Sequence, residues 1–87
     1  MSEAKFQSDI IKHLEATGWY SIKLIKTNKN GIPDIVAVRA DRTLFIEVKS
    51  VKGVISPLQK HRIKELNEMG VPAIVLREGE DFKSKIK

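Results

Sequence analysis

Two short apolar runs, Asp34-Ile35-Val36-Ala37-Val38-Arg39 and Thr43-Leu44-Phe45-Ile46-Glu47-Val48-Lys49, lie almost back to back, separated only by Ala40-Asp41-Arg42. A connection that short between β-branched, aliphatic runs makes an antiparallel hairpin. Strand side chains alternate between faces, and here both faces are largely apolar. That is the pattern of central strands in a sheet covered on both sides. The remainder of the chain must therefore supply the cover, and 87 residues suffice for one hydrophobic core.

The flanking segments have the right patterns. Across residues 2–17, Phe6, Ile10, Ile11 and Leu14 recur with helical period, while Lys5, Ser8, Asp9 and Lys12 fall opposite; Gly18 is a stop signal. Residues 19–26 mix β-branched, aromatic and polar side chains and read as a strand. Residues 28–33 and 50–55 read as loops. Ser56 suits a helix N-cap and Pro57 the first helical position. The helix then continues through residues 58–69 until Gly70 and Pro72 end it. Residues 73–76 form a last strand, and the basic tail, residues 82–87, is expected to be partly disordered. The order α-β-β-β-α-β predicts an α/β fold, a small mixed sheet flanked by helices, as one domain over residues 1–87.

Charge narrows the partner. Sixteen Lys and Arg against eleven Asp and Glu give a net +5, which favours a polyanion because each neutralised phosphate releases counterions. The absence of cysteine excludes disulfides, thiolate metal sites and a cysteine nucleophile. No apolar run approaches the roughly 20 residues of a membrane span, so no membrane partner is expected. The polar N-terminus is unlike a signal peptide, and a cytoplasmic location follows. A core this small also favours a homodimer.

The chemistry sits where the apolar pattern breaks. Glu47 and Lys49 interrupt the second run and share a face with Phe45. A hairpin centred between Ala40 and Asp41 places Asp34 directly across from Glu47, with Cβ atoms about 5 Å apart. Two carboxylates that close repel unless a proton or cation lies between them. Mg²⁺ (or Mn²⁺) is held by one or two carboxylates plus waters, polarises phosphate and lowers the pKa of bound water. Lys49 can then orient or deprotonate the attacking water, or neutralise the transition state. On a helical wheel Glu3 falls at the centre of the first helix's apolar face and Glu15 at its edge, so only Glu3 projects toward the sheet as a third carboxylate.

Gly31-Ile32-Pro33-Asp34 followed by Glu47-Val48-Lys49 resembles the G-x-P-D and E-x-K signature of the PD-(D/E)XK nucleases. With a preceding helix carrying Glu3 and a following helix carrying Gln59, the chain is similar to the stand-alone VRR-NUC (virus-type replication-repair nuclease) domain. The archaeal Holliday-junction resolvases are similar small nucleases. The resemblance runs from Glu3 to about Leu76 and implies a restriction-endonuclease-like core. It further implies a metal-dependent phosphodiesterase, commonly a homodimer, acting on branched or otherwise structured DNA in a bacterial or phage-infected cell. The family's metal ligands map to Glu3, Asp34, Glu47 and the carbonyl of Val48, with Lys49 as the catalytic lysine and Gln59 as a catalytic-site polar residue.

Plainer readings compete at each position. Alone, E-x-K describes a solvated strand face; its meeting with G-x-P-D across a hairpin favours the site. Gln59 has capping-box spacing from Ser56, and both roles are compatible. Glu3 also suits an ordinary first-turn acid. His13 reads as a helix-surface histidine and His61 as part of a basic helix, while Trp19 and Tyr20 suit packing or a dimer contact better than base stacking. Lys23, Lys26, Lys29, Lys52, Lys60 and Arg62 are candidates for phosphate contacts. Four-way junctions, flaps, single strands and nicked duplex are all admissible substrates. A non-catalytic DNA-binding module is the main alternative of another class.

Overall fold

The computed structural model describes residues 2–86. Ser2 opens α1 (Glu3–Ala16), its hydroxyl accepting from the Lys5 amide at 3.2 Å. Phe6, Ile10 and Leu14 form the buried stripe of α1, and Gly18, with φ 91°, turns the chain into β1 (Tyr20–Lys23). Glu15 does not face the core. Its Oε2 accepts from the amide and hydroxyl of Ser21 at 2.9 and 2.8 Å, tying the end of α1 to β1.

The hairpin forms as expected. β2 (Ile35–Arg39) and β3 (Arg42–Lys49) pair antiparallel from Ile35↔Ile46 to Arg39↔Arg42, so the turn centres between Ala40 and Asp41. α2 (Pro57–Glu68) then crosses over to β4 (Ala73–Arg77), which pairs parallel with β3. The sheet order is β1-β2-β3-β4. β1 is shorter than the expected 19–26. Trp19 precedes it as a buried core residue, and after Lys23 only the Leu24 amide still bonds across, to the Asp34 carbonyl at 2.7 Å.

One sheet face carries the core. Ile35, Ala37, Leu44, Ile46, Val48 and Leu76 pack under Phe6, Ile10 and Leu14. The opposite face carries Phe45, Glu47 and Lys49, and α2 covers it beside β3 and β4 without burying any of its own residues completely. Over β1 and β2 that face stays open: Tyr20, Ile22 and Val38 are 70%, 44% and 37% exposed. The expectation of cover on both sides thus holds for β3 alone. A 12-residue crossover helix joining β3 to β4 sits over those strands and does not reach the hairpin's outer edge.

The tail is a correction. Rather than being partly disordered, it forms α3 (Phe82–Lys85), and Ile86 is 2% exposed within the main core. Phe82 stacks edge-on against Phe6 and His13 with ring centroids 5.6 Å apart in both pairs. His13 is consequently half-buried rather than a free surface residue. The basic composition concealed two apolar side chains four residues apart, which one helical turn brings to the same side. Among the described residues, no helix is long and apolar enough to cross a membrane.

Candidate functional site

The site is assembled at one end of the hairpin. Continuing the observed register one residue past Ile35↔Ile46 sets Asp34 across from Glu47. Asp34 is half-buried, and its Oδ2 accepts from the Val48 amide at 2.8 Å, which fixes the carboxylate against β3. Glu47 is 2% exposed. Its Oε2 accepts from the side-chain Nε2 of Gln59 at 3.2 Å and lies 3.6 Å from Lys49 Nζ, whereas its buried Oε1 has no hydrogen-bond partner. Gln59 performs both tasks considered for it: Ser56 Oγ accepts from the Gln59 amide at 3.1 Å, and Gln59 Oε1 accepts from the Ser56 amide at 2.9 Å, completing a capping box. One side chain therefore couples the start of α2 to the Glu47 carboxylate.

Electrostatics follow from that burial. Desolvation, reinforced by the negative charge of Asp34 and only partly offset by Lys49, pushes the Glu47 carboxyl up to about 7 from 4.5. A buried carboxylate with one orphaned oxygen and a raised proton affinity, next to a second carboxylate, is short of positive charge. The donor set is all oxygen, and a hard divalent cation fits it. Among the described residues no three His, Cys, Asp or Glu side chains gather closely enough to hold an ion. The protein thus offers two carboxylates and backbone, a complement suited to an ion that keeps several waters.

A profile of the VRR-NUC domain matches residues 1–78. The chain belongs to the VRR-NUC family. The fold is also that of a Holliday junction resolvase from an archaeal hyperthermophile, Archaeoglobus fulgidus Hjc. That likeness has a TM-score of 0.65 and 22% identity, and it covers 88% of this chain and 70% of that one. No curated protein sequence is similar enough to match.

The remaining candidates of this VRR-NUC chain distribute unevenly. Glu3 is exposed at the start of α1 and is not gathered with Asp34 and Glu47; Gln7, one turn further on, is the polar residue that turns inward and is buried. Position 7 lies three residues before Ile10, so the wheel that singled out Glu3 also contained this signal. Lys26 and Lys29 line a cleft of about 330 Å³ together with Asp34. Lys52 and Lys60 are exposed, Lys60 lining a separate groove with Ile55, Ile63 and Val75. Arg62 is committed to the fold: its Nε donates to the Asn30 carbonyl and its Nη1 to Glu65 Oε1, each at 2.9 Å. No sequence pattern marks Arg77. Paired with Lys49 in the β3–β4 register, it donates to the carbonyls of Ser50 and Gly53 and clamps the loop that follows the site.

The VRR-NUC loop before Asp34 is positioned by a close approach. Gly31 has φ 81°, and a Cβ there would lie 2.7 Å from Leu58 Cγ on α2. Gly31→Ala is expected to cost about 2 kcal/mol, combining left-handed strain with the clash. Urea denaturation measures the loss, and Gly79→Ala, which meets nothing within 4 Å at φ 96°, isolates the strain component.

Proposed function

We propose that this chain is a divalent-metal-dependent, structure-specific deoxyribonuclease that hydrolyses phosphodiester bonds of branched DNA. The observation that carries the reading is the buried Glu47 carboxylate with its unpartnered oxygen, set across from Asp34 and within reach of Lys49. Asp34, Glu47 and the Val48 carbonyl would hold Mg²⁺ or Mn²⁺. When bound, such an ion supplies Lewis-acid polarisation of the phosphate and an acidified water. Lys49, its side chain 14% exposed, orients the attacking water and neutralises charge developing on the phosphate oxygens. Gln59 is a positioning residue that holds the Glu47 carboxylate. Glu3 is exposed and stands outside this pair, so its loss should cost less than the loss of Asp34. Lys26, Lys29, Lys52 and Lys60 bind backbone phosphates without reading sequence.

The likeness to a resolvase and the open, apolar face of Tyr20, Ile22 and Val38 support a homodimer acting on two strands of one junction. An end-labelled cleavage assay on a four-way junction, a flap, a single strand and duplex, each with Mg²⁺, Mn²⁺ or chelator, tests the proposal. Asp34→Ala is expected to lose cleavage on the order of a thousandfold, and Glu3→Ala about tenfold. Wild-type protein that binds these DNAs but cuts none with either metal is instead a binding module.

A further inference from the structure

Ile25 is 84% exposed, and it lines the same cleft as Asp34. A lone exposed aliphatic side chain is ordinary on a protein surface. This one is set apart by its surroundings. It lies in the segment joining β1 to β2, whose neighbouring residues Lys26, Asn28, Lys29 and Asn30 are all polar and exposed. The segment is also held in place at several points. Leu24, immediately before Ile25, donates its amide to the Asp34 carbonyl at 2.7 Å, and Thr27 Oγ1 donates to the Lys29 carbonyl at 2.7 Å. Arg62 Nε reaches the Asn30 carbonyl at 2.9 Å, the Gly31 backbone lies against Leu58, and the Pro33 side chain is fully buried. A hydrogen-bonded segment thus presents one β-branched apolar side chain to solvent in the cleft that Lys26 and Lys29 also line, one residue from a backbone bonded to the Asp34 carbonyl.

We propose that Ile25 is an aliphatic wedge that enters the opened base stack of branched DNA while Lys26 and Lys29 neutralise the phosphates beside it. This rests on the nuclease reading and adds to it the source of substrate preference. Apolar side chains of this kind insert between base steps in several DNA-binding proteins, and unstacking a continuous duplex is costly at every step. At a branch point the strands exchange and the stack is the most easily opened, so the wedge enters there at the least cost. Preference for branched DNA then arises from deformability, with no base edge read.

The test uses the full chain and a four-way junction with 2-aminopurine at the branch point, Ca²⁺ replacing Mg²⁺ so that binding is read apart from cleavage. Wild type and Ile25→Leu are expected to raise the fluorescence on binding, and Ile25→Ser to leave it unchanged. With Mg²⁺, Ile25→Ser is expected to lower kcat/KM on the junction about tenfold, the effect of losing the partial burial of one aliphatic side chain. On a linear single strand it should change kcat/KM by less than about twofold, since no stack there must be opened. Equal losses on both DNAs, or an undiminished fluorescence rise with Ile25→Ser, would overturn the wedge. If wild type cuts nothing yet shows the Ile25-dependent rise, the nuclease reading fails and the wedge stands. Cleavage of the junction without that rise leaves the nuclease and removes the wedge.

Discussion

Glu47→Gln is expected to abolish metal-dependent cleavage and, at the same time, to raise the melting temperature of the metal-free protein at pH 8. Both effects have one cause. Glu47 is 2% exposed, faces Asp34 across the hairpin, and leaves Oε1 without a partner. In the folded metal-free protein burial and the neighbouring Asp34 push its carboxyl up to about 7, against 4.5 for an ordinary glutamate. Between those values the folded state holds a proton that the unfolded chain has released. Stability must therefore fall as pH rises through this window and level off above about 7. The window corresponds to up to about 3 kcal/mol. Glutamine removes the charge and preserves the shape, so the variant's melting temperature should be flat where the wild type's declines. Differential scanning calorimetry in chelator at pH 5, 6.5 and 8 reads the difference. A variant that melts lower than wild type at pH 8 would mean that the buried charge is compensated in the fold. Saturating Mg²⁺ should stabilise the wild type and leave Glu47→Gln unmoved, because only an ion bound by the native state shifts the equilibrium.

The second large effect lies far from the chemistry. Ile86→Ala is expected to cost about 3 kcal/mol, because a fully packed isoleucine leaves a cavity that its neighbours fill only in part. In a domain of this size each kcal/mol lowers the melting temperature by about 4–8 °C, so a fall of roughly 12–24 °C is expected. Ile86 is 2% exposed and joins Phe6, Ile10 and Leu14 in the main core. Lys83→Ala on the exposed side of the same short helix is the control and should stay within about 0.5 kcal/mol. A small effect of Ile86→Ala would show that α3 contributes little to the core.

The residues differ in how openly the sequence displayed them. Asp34, Glu47 and Lys49 were legible because polar groups interrupting a strand, three residues of connection and strict alternation leave little freedom in the hairpin register. The capping box of Ser56 and Gln59 was legible for the same reason, being a pattern within one helical turn. The site role of Gln59 came from the family resemblance alone, since no local pattern shows that α2 brings it to Glu47. Arg62 read as a phosphate contact, yet its guanidinium pins the Asn30 carbonyl 32 residues away. Glu3 and Gln7 share one helical face, and only the docking of α1 on the sheet left Glu3 exposed and Gln7 buried.

Local periodicity and short connections were enough for α1, the hairpin register, the start of α2 and the placing of Asp34 across from Glu47, but not for α3 or the short span of β1. Which sheet face stayed open, that the tail closes the core, that Arg77 clamps the loop after Lys49, and that burial beside Asp34 pushes the Glu47 carboxyl up to about 7 emerge from the folded chain alone. Those outcomes depend on contacts between segments distant in the chain, where packing and desolvation act and no short pattern records them.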